Sequence, residues 1–554
     1  MIVISNRKNV LTTIIVFLIT ITSFGQSPNW DWAKSSGGNN SDQGISIAND
    51  QSGNSYVTGV FASSTIKFDT TLLANHFSGG FHHFDIFIAK YDNSGNVLWA
   101  KSAGGTFDDW AYSITTDISG NVYVAGYFVQ SITFDSITLY GGFRDVFLVK
   151  YDTNGNLLWA KSSGGSSADE AHSVTVDVTG NIYLTGFFES SSITFGTTTL
   201  TNTTSNSSDI FITKYDSGGN VLWAKKAGGN NYDYATSVCG DIFNNVYVTG
   251  YFYSSTITFS TTTLPNTSSY NMFIAKYDNT GNLLWVKSPG GAYPQSICSN
   301  TFGEIIQTGA FASTPIIFGS DTLTSKGNYD MFLTKYDTNG NVIWAKSGGG
   351  TASDQGNAVA IDSNNNIYMV GFYKSPYISF FTDTLINNNP LNNFFIVSYN
   401  NNGGIQWTKN ADANSNFVTA NSISSYSNEI HITGTFNNDS ITFGTTLLLN
   451  DTTDTSSDMY VAKLKTQTTT GISENTQYII NSFCVFPNPT SGQITISNSK
   501  KYDKVIITDL LGQIVYQAKD INSTTSLRID KTGIYLVTLI SNKQTFTKKI
   551  IVQN

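Results

Sequence analysis

Charge is the first thing in short supply. Lys, Arg, Asp and Glu make up 12% of the 554 residues, about half the usual share of roughly 25%. Arginine is nearly absent, with Arg7, Arg144 and Arg528 alone. Without clustered basic residues to displace counterions, nucleic acid is set aside as a partner. The net charge of −9 is modest for this length, so partners should be met through hydrogen bonds and stacking rather than long-range steering. Cysteine is scarce too: Cys239, Cys298 and Cys484. A chain this long needs no disulfides to make up for a small core. Cys239 and Cys298 stand at equivalent repeat positions where other copies carry Ala48, Thr115, Thr175, Ala360 and Ser424. A tightly packed small-residue site is expected there, since a bridge needs Cα atoms within about 7 Å.

Long apolar runs are also missing, with one exception. Val10–Thr22 is apolar, follows Arg7 and Lys8, and precedes the small residues Ser23 and Gly25. It is short for a membrane span, and its flanks predict a secretory signal peptide over 1–25. No transmembrane segment is expected in the mature chain. Helical periodicity is absent throughout.

What is present is repetition. Tryptophans recur at 32, 99, 159, 223, 285, 344 and 407, spaced 67, 60, 64, 62, 59 and 63 residues apart, which marks an array. One unit runs AYSITTD (111–117), NVYVAGYF (121–128), SITFDSITL (131–139), DVFLVKYD (145–152) and then LLWAKSSGG (157–165). Val, Ile, Tyr, Phe and Thr fill the segments, and Gly, Asn and Asp mark the turns, so each unit predicts a four-stranded meander with an extra hairpin. Seven copies of the first three strand types occur, the last of them DMYVAKLK at 458–465 with no tryptophan strand after it. NWDWAK at 29–34 has no partner before it. Joining the two ends predicts an all-β, seven-bladed β-propeller over 26–465, closed by an N-terminal strand, which leaves no open sheet edge in the ring.

The unit GNVYVAGYF…DVFLVKYDTNGNLLWAKSSGG resembles the bacterial SBBP-type β-propeller repeat. That resemblance implies a fold and no defined chemistry. After a polar linker over 466–483, residues 484–554 carry six further β-type segments, enough for a small β-sandwich. They resemble the type A C-terminal sorting domain of the type IX secretion system through Pro487-Asn488-Pro489, the Asp509–Gly512 turn, Gly533 and Tyr535, and Lys548 and Lys549. The resemblance implies the type IX secretion machinery as partner, passage through the outer membrane, and a secreted or cell-surface product.

An aspartate stands four residues before the Ser or Ala of five first strands: Asp42, Asp109, Asp169, Asp233 and Asp354. In a ring these should surround one mouth of the channel, beside Trp110, Tyr234 and Tyr293. They are read either as turn-forming residues or as a ligand or cation site. Aromatic faces beside carboxylates suit sugar rings, which stack through C–H bonds and donate hydroxyl hydrogens. The Asp152-Thr-Asn-Gly-Asn turns resemble half a calcium loop but lack its later acids, and a hairpin turn is the expected explanation. Calcium is therefore the one cofactor left open, with none expected otherwise. His76, His82 and His83 cluster in one insertion, and solvated histidines are expected there rather than a metal site. No catalytic motif stands out.

The expectation is thus a non-enzymatic binding propeller for glycan or another extracellular polymer. The alternatives are a glycoside-active enzyme using mouth aspartates, or a purely structural or adhesion module.

Overall fold

The computed structural model describes residues 27–465 apart from 77–82, 313–314, 381–382, 388–390, 414–416, 438–439 and 451–455, and residues 484–552 apart from 487–489, 491, 498–501, 510–511, 522–523 and 542–543. The expected signal peptide and linker lie outside the described residues. The chain divides into two compact units, Met1–Gln467 and Thr468–Asn554.

The first unit is all-β and propeller-like. Its described residues form seven four-stranded antiparallel meanders, one of them extended to six strands by a neighbouring hairpin. The second is typical: Trp110–Thr116, Val122–Phe128, Asp145–Tyr151 and Leu157–Ser163 pair in sequence order. The seventh differs. Phe417–Tyr426, Glu429–Asn437 and Ser457–Lys465 are completed by Asn29–Ser36 from the other end of the chain. Ser35 pairs with Tyr460 and Trp32 with Lys463, so the orphan N-terminal segment finds its partner strand.

Turn chemistry explains why the meanders form. Asp117 accepts the N–H groups of Ser119 and Asn121 on Oδ1, and Asn121 Nδ2 and Tyr123 OH on Oδ2. Gly120 supplies φ +78°, a conformation that costs glycine nothing. The same set returns at Asp50, Asp177, Asp241 and Asp362. At Asp152 both carboxylate oxygens are likewise occupied by Asn154 and Asn156 donors.

The first strands of successive sheets touch one another in order, and that of the seventh touches that of the first. A bulge in each first strand, as between Ala111 and Ser113, breaks its register with the second strand. At that point Ile114 N donates to Ser46 Oγ of the preceding sheet at 3.2 Å. Val174 N donates to Ser113, Val238 N to Ser173, Ile297 N to Ser237, Val359 N to Ser296 and Ile47 N to Ser422. The seventh acceptor position is Ala358.

Further out, six of the seven repeated tryptophans do more than pack. Trp99 Nε1 and Lys90 Nζ both donate to Thr153 O in the turn of the next sheet, and Trp159 with Lys150 does the same at Ser217 O. The lysines are buried and lie over a tyrosine of their own sheet, Lys90 over Tyr56 and Lys150 over Tyr123, where a cation is favoured.

In the second unit, Cys484–Phe486, Gln493–Ser497 and Thr524–Arg528 form one sheet. Tyr502–Asp509, Ile514–Ile521, Gly533–Ser541 and Gln544–Val552 form another. Ile494 and Ile496 share one core with Val505, Ile507, Val537 and Leu539 of the second sheet. Cys239 and Cys298 are free, the first buried and the second partly so.

Candidate functional site

The five sequence-predicted aspartates lie at the start of their sheets, and all are 0% exposed. The expected ring of carboxylates open to a channel mouth is therefore corrected: these groups face protein. Ser63 Oγ donates to Asp42 Oδ2 at 2.7 Å while Ser63 N reaches Oδ1. Asp169 with Ser190, Asp233 with Ser254 and Asp354 with Ser375 repeat this. The contact is to a serine 21 residues on, not to the aspartate's own turn. In the second sheet that place is held by Gln130, and Asp109 Oδ2 has no hydrogen-bond partner among the described residues.

Burial pushes the Asp42 carboxyl up to about 8, and Asp169 and Asp233 to about 7. A second buried acid adds to each shift: Asp458 beside Asp42, Asp145 beside Asp169, Asp209 beside Asp233. The two acids come and go together. Where the first strand has Ala292 or Val418 instead of aspartate, the preceding sheet has Asn271 or Asn393 in place of the second acid. These second acids also explain the repeated Gly-Gly. A Cβ on Gly37, Gly104 or Gly164 would stand 2.1–2.2 Å from the carboxylate of Asp458, Asp85 or Asp145.

The aromatics form a continuous run of ring contacts, one member of which, Phe187, is buried. Trp110, Tyr234 and Tyr293 are each partly exposed and belong to one run of ring contacts. Phe84 meets Trp110 at 5.0 Å, Trp110 meets Tyr112, and Tyr112 meets His172 at 4.9 Å. The run continues through Phe187 to Tyr234 at 4.9 Å, then Tyr251 and Tyr293 at 5.0 Å. Tyr270 stacks on Tyr293 at 4.0 Å, and Tyr329 follows at 6.1 Å. Five successive sheets contribute. Where the run stops, four of the six equivalent positions carry amides, Gln355 and Asn357 of the sixth sheet, Asn421 of the seventh and Gln43 of the first, and the other two are Thr419 and Ile45.

One charged group interrupts the arc, and sequence reasoning missed it. Glu170 is buried and accepts Arg144 Nη1 at 2.7 Å, with Tyr112 OH and His172 Nε2 at 3.4 Å. Burial alone would raise its pKa; hydrogen bonding and charge from His172, and then Arg144, outweigh that and hold it below the ordinary value. The signal was in the sequence: Arg144 is the one arginine between residues 8 and 527.

The histidines do not converge. His76 pairs with Asp85 and His83 with Asp108, and His82 lies outside the described residues. Among the described residues no group of three or more His, Cys, Asp or Glu is placed to hold a metal ion.

Two family models match the chain. Residues 98–127 match the SBBP Beta-propeller repeat, and residues 484–553 match the Secretion system C-terminal sorting domain. The chain thus carries a β-propeller repeat over 98–127 and a type IX secretion sorting domain over 484–553. The repeat match begins on the fourth strand of one sheet and ends on the second strand of the next, so the sequence unit and the sheet are out of phase. In the sorting domain, Gly512 N and Gln513 N close the Asp509 turn, with Gly512 at φ +81°. Tyr535 is buried and its hydroxyl donates to Lys531 O. Gly533 begins a strand in which Leu536 and Val537 pair with Lys549 and Lys548. Pro487, Asn488 and Pro489 lie outside the described residues.

Among curated proteins, the chain is 26% identical over 545 residues to the uncharacterized WD repeat-containing protein L264 of Acanthamoeba polyphaga mimivirus, covering 78% of this chain and 38% of that protein. It is 24% identical over 255 residues to the regulatory protein FlaEY of Caulobacter vibrioides, covering 45% of this chain and 25% of that protein. The matches thus span well under half of either relative. Similar solved structures include the Dos1 propeller (8% identity, 79% of this chain, 95% of that chain, TM-score 0.38) and Sqt1 from Chaetomium thermophilum (8%, 74%, 97%, TM-score 0.39).

Proposed function

We propose that the seven sheets are the blades of a closed propeller over 26–465, and that it binds an extracellular polysaccharide without chemical turnover. In this reading a signal peptide over 1–25 starts export. The small β-sandwich over 484–554 then directs passage by the type IX machinery, and the product is released or held at the cell surface.

The observation that carries the binding reading is the aromatic run from Phe84 to Tyr329. Partly exposed rings from five sheets, linked in the third through the buried Phe187, offer C–H stacking to successive sugars. The amides at Gln355, Asn357, Asn421 and Gln43 complete the rim with donors and acceptors for hydroxyls. The burial of all five mouth aspartates counts against glycoside hydrolysis, because a general acid must reach the glycosidic oxygen. The experiment is a glycan array with the mature full-length chain and with Tyr293→Ala. Binding to a polymer that is lost in the variant supports the proposal; silence on every glycan overturns it and leaves a structural or adhesion module.

A further inference from the structure

We infer that the polysaccharide is acidic, and that Arg144 takes a uronic carboxylate at the centre of the aromatic arc. This rests on the binding reading above and names its ligand class.

Arg144 stands at a position that three other sheets fill with an aromatic residue. Its repeat equivalents are Phe84 in the first sheet, Tyr270 in the fourth and Tyr329 in the fifth, all members of the arc, and the polar Ser208, Asn392 and Ser457 in the third, sixth and seventh. Its guanidinium lies 5.0 Å over the Tyr127 ring and 5.6 Å over Phe143, and Phe143 is itself exposed. A guanidinium held against aromatic faces keeps its charge and loses its freedom to rotate.

The ion pair with Glu170 is lopsided. The acid side chain is 6% exposed and the base 41%. Glu170 is also served by Tyr112 and His172, so a buried acid anchors an outward-facing base. The anchor uses Nη1. Nε and Nη2, the edge that meets a carboxylate with two parallel bonds, make no hydrogen bond among the described residues. A neutral sugar would not require a charged fork there; a carboxylate is matched by it in shape and charge. Two other acids lie near. Asp108 is engaged by Phe84 N and His83. Burial, and then the Glu170 charge, raise the Glu189 pKa, while the nearby Arg144 charge lowers it. Recognition is therefore short-range, and Glu189 opposes it.

The test is calorimetric titration of the mature full-length chain with polygalacturonate and with the same polymer after carboxyl reduction, at physiological salt. The acidic polymer should bind at least tenfold more tightly. Arg144→Lys, which keeps the charge and loses the fork, should remove most of that preference, weakening binding of the acidic polymer far more than that of the reduced one. Glu189→Gln should strengthen it. Thermal melts confirm that each variant folds. Equal binding of the two polymers, indifferent to Arg144→Lys but abolished by Tyr293→Ala, overturns the acidic assignment and leaves the glycan site standing. If neither polymer binds, and the array is silent as well, both readings fall.

Discussion

Trp32 and Lys463, from opposite ends of the propeller region, face each other across paired strands and donate to one atom. Trp32 Nε1 lies 3.1 Å and Lys463 Nζ 3.0 Å from Asn93 O, in the third-to-fourth-strand turn of the first sheet. The same pair of donors meets the neighbouring turn in sheet after sheet, but here they come from residues more than 430 positions apart. Elsewhere one continuous chain supplies both.

That closure should be separable from the rest of the fold. Deleting 27–37 exposes the backbone of Ser457–Lys465 as an unpaired edge, which invites pairing with another chain. The truncated protein should oligomerise in size-exclusion chromatography with light scattering. Trp32→Ala keeps the strand and should cost about 2–4 kcal/mol in urea unfolding, near the low end for large-to-small changes because the ring is only partly buried.

The serine relay around the first strands has one gap, at Ala358. Ala358→Ser should place a hydroxyl against Ile423 N and raise stability by about 0.5–1.5 kcal/mol, the net worth of a typical hydrogen bond. Ser173→Ala should lower it by a similar amount, since Val238 N then loses its acceptor. Denaturant midpoints at constant slope read both effects.

The buried acids set a pH dependence. Asp42, at about 8, and Asp169 and Asp233, at about 7, have folded pKa values above the unfolded 3.8. Between those limits the folded state holds more protons, so their contribution is complete below pH 3.8 and fades as pH rises through 7–8. His431 acts oppositely: burial, and then the Lys463 charge, lower it to about 3, so stability is lost as pH falls from 6.5 towards 3. With three such carboxyls against one imidazole, unfolding free energy should decline from pH 5 to pH 8. Asp169→Asn, neutral and nearly isosteric beside Ser190, should flatten the slope.

The arc predicts a graded loss of binding. Tyr293 joins Tyr251, Tyr270 and Tyr329 and shares a hydroxyl contact with Tyr253 at 3.1 Å. Tyr293→Ala should weaken polysaccharide binding about tenfold or more, while Tyr293→Phe, which keeps the stacking face, should lose less. Titration against the polymer identified on the array checks both.

The sequence by itself determined the repeat, its strand order and the export tail. Period-two patterning, turn residues and an unmatched NWDWAK segment are local signals, and counting them was enough to join the chain's two ends. The sorting residues Asp509, Gly512 and Tyr535 were equally legible, because turn and core chemistry are written within a few positions. Tertiary structure alone decided what the mouth presents. Whether Asp42 or Asp169 faces solvent depends on Ser63 or Ser190, 21 residues on, and on Asp458 or Asp145 arriving from the neighbouring sheet. The serine recurs in sequence, but its meaning depends on which elements meet. Likewise Trp110, Tyr234 and Tyr293 were visible singly, whereas the run joining them, and the anchoring of Arg144 by Glu170, exist only where neighbouring sheets touch. Packing between sheets joins residues whose separation along the chain carries no local pattern, and it is there that buried and exposed, structural and available, are settled.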